Sequence, residues 1–421
     1  MTVPLSGGGQ PIACVHGRTD VIRSHLLPLR AAVVSAALLL TACSGGAADD
    51  KPAHPVFDVP AEQQPRQALL TTQAARTATF TQTLTFTSPS GDTVQTTTGR
   101  IDFSGGRAAG SSAWAVAEGL PEEARDVLLG VRLGTARAPV RTQVVVEPDT
   151  IRLRAGEAGY WLRYEGSFDA FGTGAAVDSL RGTESAFGGT LLEVLSGAQK
   201  VKHSSVAEGG RAYEAQLTAF NALRMFPKDL SSELAADIDP NGTATPVSLS
   251  MSTDAKGRIT RAEADFSGLL DTRKDSALAE TTGLRAVLRV GTFGASAPAM
   301  PAATEQTLDA AESVMPVGEM KKGGCADLTT GTRTLDMMVS VPCAQAHEAR
   351  VFAHARFDAA YPGYKQAKRM AREACADAYG SAPASWTEEG VKKDHFRYTW
   401  PGEARWGVGA DPVVTCFVET R

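Results

Sequence analysis

The chain is short of the features that usually announce a chemistry. It has no block of like charges, and its 42 Lys and Arg nearly balance 47 Asp and Glu, for a formal net charge of −5. A basic face for nucleic acid is therefore not expected. No Gly-x-Ser-x-Gly, His-Glu-x-x-His, P-loop or partnered Ser-x-x-Lys motif occurs, which leaves no familiar nucleophile, zinc protease or nucleotide site to assign. Gly172-Thr173-Gly174 lacks the third glycine of a phosphate loop and reads as an ordinary loop. Cysteines never stand as Cys-x2-Cys, the close pair typical of zinc sites. Apolar runs are also short. The stretch Ala31–Leu40 falls below the ~20 residues a membrane-spanning helix needs, and no second run approaches that length. We expect no catalytic residue, no metal and no cofactor.

What is present begins with order. Arg18, Arg23 and Arg30 precede Ala31–Leu40, which is followed by Leu40-Thr41-Ala42-Cys43 and then Ser44-Gly45-Gly46. Basic residues, a short apolar core and small residues before a cleavage point form an export signal. With cysteine in the next position, the segment resembles the lipobox of bacterial lipoproteins, where the thiol is acylated and the bond before it is cut. That resemblance makes residues 1–42 a signal peptide, with Val21 as an alternative start because Met1–Asp20 adds nothing such a signal needs. It makes Cys43 the lipidation site, and it places the chain on the extracytoplasmic face of the cell membrane, held by its diacylated amino end. The mature part would have 421 − 42 = 379 residues, suited to two domains of ordinary size.

Four further cysteines, Cys325, Cys343, Cys375 and Cys416, cluster near the carboxyl end. An even number in one exported domain reads as disulfides. We expect Cys325 with Cys343 and Cys375 with Cys416, although four cysteines allow three pairings and sequence alone leaves them open. His347 and His354 would share a face of a helix but take opposite faces of a strand. A structural role is expected for both.

Periodicity divides the rest. Residues 43–64 form a tether rich in Gly, Ala, Asp and Pro. Residues 65–294 open with a short helix, Arg66–Arg76, and then a strand in which Thr77, Thr79, Thr81, Thr83, Thr85 and Thr87 alternate with Ala78, Phe80, Leu84 and Phe86. Further strands are expected at Thr93–Phe103, Thr142–Glu147, Thr150–Arg154, Gly159–Glu165, Arg211–Thr218, Val247–Met251, Ile259–Phe266 and Leu284–Val290. Helical intervals are expected around Leu191–Leu195 and at Phe226–Ala236. The sum is an α+β domain with an antiparallel sheet of about eight to ten strands and helices on one face. Residues 295–316 read as a linker containing Pro298 and Pro301. Residues 317–421 form a smaller α+β domain with strands at Thr332–Val341, Ala349–Phe357, Phe396–Trp400 and Pro412–Val418, and a helix at Tyr364–Tyr379.

Two family resemblances follow from these residues. The first domain, with its Thr-rich opening strand, Thr190–Ala198, Gly210-Arg211-Ala212-Tyr213 and the hairpin Asp254-Ala255-Lys256-Gly257-Arg258-Ile259, resembles the LppX/LprG-like lipoproteins related to the LolA/LolB carriers. That resemblance implies a curved half-barrel and a lipid ligand between sheet and helices. Phe80, Leu84, Phe86, Ile101, Phe103, Leu249, Met251 and Leu288 are then the ligand-facing residues. The second domain carries Gly323-Gly324-Cys325, Val341-Pro342-Cys343-Ala344-Gln345-Ala346-His347-Glu348, Tyr361-Pro362-Gly363, Cys375, Trp400-Pro401, Trp406, Gly409 and Thr415-Cys416. It resembles the septum-formation family of exported actinobacterial proteins, which implies cell-division or envelope proteins as partners. The leading expectation is a non-catalytic, membrane-anchored envelope lipoprotein that binds a lipid. A scaffold at the division site is the alternative, and an exported enzyme of unfamiliar type stands third.

Overall fold

The computed structural model describes residues 54–129, 141–156, 158–165, 190–226, 230, 231, 234, 246–270, 276–328, 337–357, 360–391, 395–399 and 413–420. The signal segment, Cys43, the first part of the tether, Gly172-Thr173-Gly174, Thr332–Asp336, Trp400-Pro401, Trp406 and Gly409 lie outside these described residues.

The fold is α+β. Its larger sheet contains β1 Thr77–Ser88, β2 Gly91–Asp102, β3 Arg107–Ala115, β4 Arg141–Glu147, β5 Thr150–Ala155, β6 Trp161–Glu165, β7 Gln199–Ser205, β8 Arg211–Leu217, β9 Val247–Thr253, β10 Ile259–Asp265, β11 Gly283–Gly291 and β12 Thr307–Asp309. They lie in the order β12-β6-β5-β4-β3-β2-β1-β11-β10-β9-β8-β7. The two outer strands do not meet, so the sheet is an open, curved half-barrel. Neighbours run antiparallel except β12, which lies parallel to β6. Twelve strands exceed the eight to ten expected, because the sequence pattern hides β3, β7 and β12.

β1 forms because its threonines suit an exposed pleat while Ala78, Phe80, Leu84 and Phe86 are buried on the other side. Gly91 closes the turn into β2 with φ +114°, a conformation that favours glycine. β1 then takes β11 as its other neighbour, pairing Leu84 with Ala286 and Phe80 with Val290. That long-range pair places β1 at the centre of the sheet.

Helix α1 runs Gln64–Ala74, two residues earlier at each end than the pattern suggested, with Pro65 in its first turn. Ala68, Leu69 and Thr72 are buried. The Thr72 hydroxyl donates to the Ala68 carbonyl at 2.7 Å and accepts from the Ile259 N–H at 2.9 Å. One side chain thus joins the helix to the first residue of β10. Helices α2 Glu122–Leu129 and α3 Ala219–Leu223 add further cover. The expected helix around Leu191–Leu195 is instead two short 3-10 turns, Leu191–Glu193 and Leu195–Gly197.

The segment just ahead of α1, read from composition as tether, is packed. Val56 and Phe57 are buried, and the Arg211 guanidinium lies 4.6 Å above the Phe57 ring. Gly257 leaves room for Val56, since a Cβ there would come within 2.9 Å of it.

Residues 292–306 contain no strand or helix, yet they are fastened to the sheet edge. The Glu305 carboxylate accepts from Trp161 Nε1 at 2.5 Å and Arg154 Nη1 at 2.9 Å. The Trp161 bond above all holds this carboxyl below its usual range. From β12 the chain passes through α4 Ala310–Ser313 directly into β13 Val314–Pro316 of the second sheet. That sheet adds β14 Cys325–Asp327, β15 Met337–Val341, β16 Ala349–Arg356, β17 Arg397–Thr399 and β18 Val413–Glu419, in the order β13-β15-β14-β16-β18-β17. Helix α5 Tyr364–Ser381 packs on it through Ala367, Ala371 and Cys375, all fully buried, and α6 Ala384–Thr387 follows. The two sheets share one apolar cluster in which Val314, Cys325, Val339 and Val341 join side chains of the larger sheet. At the joint the Tyr160 hydroxyl donates to Asp327 Oδ2 at 2.6 Å.

Candidate functional site

Strand alternation delivers the apolar candidates to one face. Phe80, Leu84, Phe86, Ile101, Leu249, Met251 and Leu288 all point into the larger core and are 0–5% exposed. Phe103, just past the end of β2, is half-buried against the same cluster. Above them lie Leu191, Leu192, Val194 and Leu195 from the 3-10 turns, with Met225, Phe226 and Phe266. Leu84 is 4% exposed and Leu288 0%, so both side chains are closely covered.

The same face carries a polar strip that the sequence reading did not identify. Gln82 faces inward from the middle of β1, between Phe80 and Leu84. Register sets Gln82 opposite Thr97, and Thr97 opposite Ser112. Gln95 and Thr93 complete the strip, and all five are buried. Two of their hydrogen bonds are mutual, and Thr93 Oγ1 accepts from the Ala117 N–H at 3.1 Å. Ser112 Oγ accepts from Gln95 Nε2 at 2.8 Å and from Thr97 Oγ1 at 3.2 Å. Gln82 Oε1 accepts from the Leu191 N–H at 2.8 Å, which ties the cover to the sheet. The signal for this strip is the cross-strand register. Gln82 is a single exception in an apolar row, and only pairing with β2 and β3 joins it to Thr97 and Ser112. Beside the strip, Phe80 lies over Gly99, where a Cβ would come within 2.6 Å of the ring. Glycine there lets the aromatic ring lie against the strand.

Tyr164 and Tyr213 are buried in the same core, and desolvation raises both phenols above their usual range. They stay neutral in any physiological medium. An inner face with no fixed charge among these residues suits a ligand that is mostly apolar with hydrogen-bonding groups at one place.

In the smaller sheet, Cys325 is disulfide-bonded to Cys343, and Cys375 to Cys416. The first bond joins β14 to the turn after β15, and the second joins α5 to β18. His354 lies in β16, with Nε2 2.6 Å from the Met320 carbonyl and Nδ1 3.1 Å from Thr415 Oγ1. Burial is the main cause that lowers its pKa, with Lys322 and Arg356 acting in the same direction. His347 precedes that strand and makes different contacts, with Nδ1 2.8 Å from the Gln345 carbonyl. No helix among the described residues is long and apolar enough to cross a membrane.

No family model matches the chain, and no curated protein matches it in sequence. Similar solved structures include LprF from Mycobacterium bovis, at 13% identity and a TM-score of 0.31, covering 57% of this chain and 96% of that one. The lipoprotein LppX of Mycobacterium tuberculosis is similar at 11% identity and a TM-score of 0.30, covering 56% and 96%. An outer membrane lipoprotein-sorting protein domain from Vibrio parahaemolyticus is similar at 10% identity and a TM-score of 0.18, covering 55% and 95%.

Proposed function

We propose that this chain is a cell-envelope lipoprotein, anchored through Cys43 on the extracytoplasmic face of the membrane, that takes an amphipathic lipid against the inner face of its larger sheet. The observation that carries the reading is the make-up of that face: an apolar field, Phe80 to Leu288, crossed by the buried strip Gln82, Gln95, Thr97 and Ser112. Acyl chains suit the field, and hydroxyl or carbonyl groups of a headgroup suit the strip. Uptake requires the cover at Leu191–Gly197 to lift, and the Leu191–Gln82 hydrogen bond is the contact it must break. Native mass spectrometry of protein purified from its own host tests this. A co-purified lipid that is lost on replacing the strip supports the reading, and a ligand-free protein under gentle conditions refutes it.

A second reading is favoured by the close cover of these strand side chains. A solid core suits a scaffold that holds cell-division or envelope proteins at the membrane surface, with the disulfide-bonded second domain as the contact. Absence of lipid together with recovery of defined envelope partners would select it. Neither reading assigns the chain a catalytic residue or a nucleic-acid partner.

A further inference from the structure

One corner of the second domain holds more chemistry than a structural disulfide needs. The ligand-capable atoms of Cys325, His347 and Glu389 lie within 4.8 Å of one another. The His347 side chain is 10% exposed, and its Nε2 is buried with no hydrogen-bond partner. That nitrogen faces Glu389 Oε2 at 3.5 Å. Nδ1 is 2.8 Å from the Gln345 carbonyl. A carbonyl can only accept, so Nδ1 carries a proton, and Nε2 is the nitrogen turned toward the carboxylate. A histidine that donates one N–H to a carbonyl and presents its other nitrogen is held as metal ligands usually are.

We propose that reduction of Cys325–Cys343 turns this corner into a zinc site, with Cys325 Sγ, Cys343 Sγ, His347 Nε2 and the Glu389 carboxylate as its four ligands. Tetrahedral zinc, with bonds of ~2.0–2.3 Å, places its ligand atoms roughly 3.3–3.8 Å apart, so His347 and Glu389 would draw in toward Cys325 while the two sulfurs, now bonded to each other, would part. Arg350 already bonds Glu389 Oε1 and leaves Oε2 for the ion. Its positive charge also offsets the excess of two thiolates and one carboxylate over Zn²⁺. In the oxidised protein both sulfurs are engaged with each other, and only His347 and Glu389 remain as ligands.

The reductant is an external thiol, and the two disulfides differ in what it can reach. Cys343 is exposed, whereas Cys375 and Cys416 are both 0% exposed. Attack on Cys343 by an external thiolate gives a mixed disulfide and releases Cys325 as the thiolate. A second external thiolate frees Cys343, and the two external sulfurs leave as their own disulfide. Zinc then binds both sulfurs as thiolates, and the two protons of the reaction are those the external thiols lose to solvent on becoming thiolates.

The full chain tests this. Metal-free protein is titrated with zinc against a competing chromophoric chelator, first oxidised and then after mild thiol reduction, with peptide mapping of both disulfides. The expected result is one zinc per chain, bound only once Cys325–Cys343 is open and while Cys375–Cys416 stays closed. Cobalt(II) in place of zinc should show thiolate charge-transfer absorption. His347→Gln and Glu389→Gln should each weaken binding at least ~10-fold. Zinc binding of equal strength to the oxidised chain would overturn the proposal. So would a selectively reduced chain that binds none, or variants that bind as tightly as wild type. The oxidised-against-reduced comparison uses the unaltered protein, so it holds even if a variant fails to fold.

Discussion

Replacing Ser112 by alanine separates a purely structural strip from a ligand-binding one. Ser112 Oγ accepts from Gln95 Nε2 and Thr97 Oγ1, and the three residues are 9%, 8% and 3% exposed. Alanine removes the shared acceptor but neither donor. The Gln95 amide is then left buried without that partner, which costs about 1–3 kcal/mol, and the Thr97 hydroxyl, free to rotate, costs less. Urea unfolding of Ser112→Ala should therefore show a loss of roughly 1–4 kcal/mol from these two donors. The triple variant Gln95→Leu, Thr97→Val, Ser112→Ala removes donors and acceptor together, and it should recover most of that loss because no polar group is stranded. If the strip serves only packing, the stable triple variant behaves like wild type toward lipid. If it holds a headgroup, the triple variant folds but loses the co-purified lipid, or exchanges it for a less polar one. A triple variant less stable than Ser112→Ala would refute the account of the strip as a self-satisfied network.

Four other outcomes are expected. Cys43→Ser should abolish incorporation of a labelled fatty acid and leave the protein uncleaved or released from the membrane; undiminished label would rule the lipobox out. Replacing Cys375 and Cys416 by alanine opens a loop with a sequence separation of 41, for which the chain-entropy relation gives about 3.9 kcal/mol. Hydrogen exchange in α5 and β18 should rise accordingly, and unchanged protection would contradict it. Leu84→Trp should cost ~1–3 kcal/mol, because the site is already filled, and a neutral effect in thermal unfolding would reveal spare room under the cover. His354 has a depressed folded pKa, so below its ordinary value of ~6.5 the unfolded chain binds the proton more readily. Stability should be full above that pH and should fall as pH drops from there toward the folded pKa. His354→Gln should flatten that slope, and an unaltered pH profile would count against it.

How much was legible depended on whether a signal was local. The threonine alternation of β1 and the alanine spacing of α5 are local, and both elements lie where the pattern placed them, α5 ending at Ser381 rather than Tyr379. β3 was missed because Arg-Ala-Ala-Gly-Ser-Ser-Ala-Trp-Ala has few residues that favour strands; it is held by β2 and β4 on either side. β7 exposes nearly every side chain except Val201, so it has no apolar period to read. The apolar half of the candidate site was visible as alternation within single strands. Its polar half depends on which strands are neighbours, and the approach of Glu389 to His347 depends on how the whole smaller sheet and its helices fold.

On the proposed carrier reading, the polar strip also bears on how a closed interior can load and release. Buried hydroxyls and amides are costly unless bonded, and here Gln95 and Thr97 bond to Ser112 while Gln82 accepts from the cover. Each of these four side chains therefore has a partner within the protein, so closing the cover strands none of them. A lipid headgroup would replace bonds of the same kind, so the polar part of binding exchanges one set of hydrogen bonds for another with little net gain. The apolar part likewise replaces side-chain packing by acyl-chain packing. Closed and loaded states built from matched terms differ by little free energy, as reversible loading and release require. A strip of charged residues would not permit this, because closing over unpaired charges would cost far more than a ligand-free protein could bear. On this reasoning the neutrality of Gln82, Gln95, Thr97 and Ser112 matters as much as their position. Replacing Gln82 with glutamate should therefore destabilise the ligand-free protein more than replacing it with leucine, a comparison that thermal unfolding can make directly.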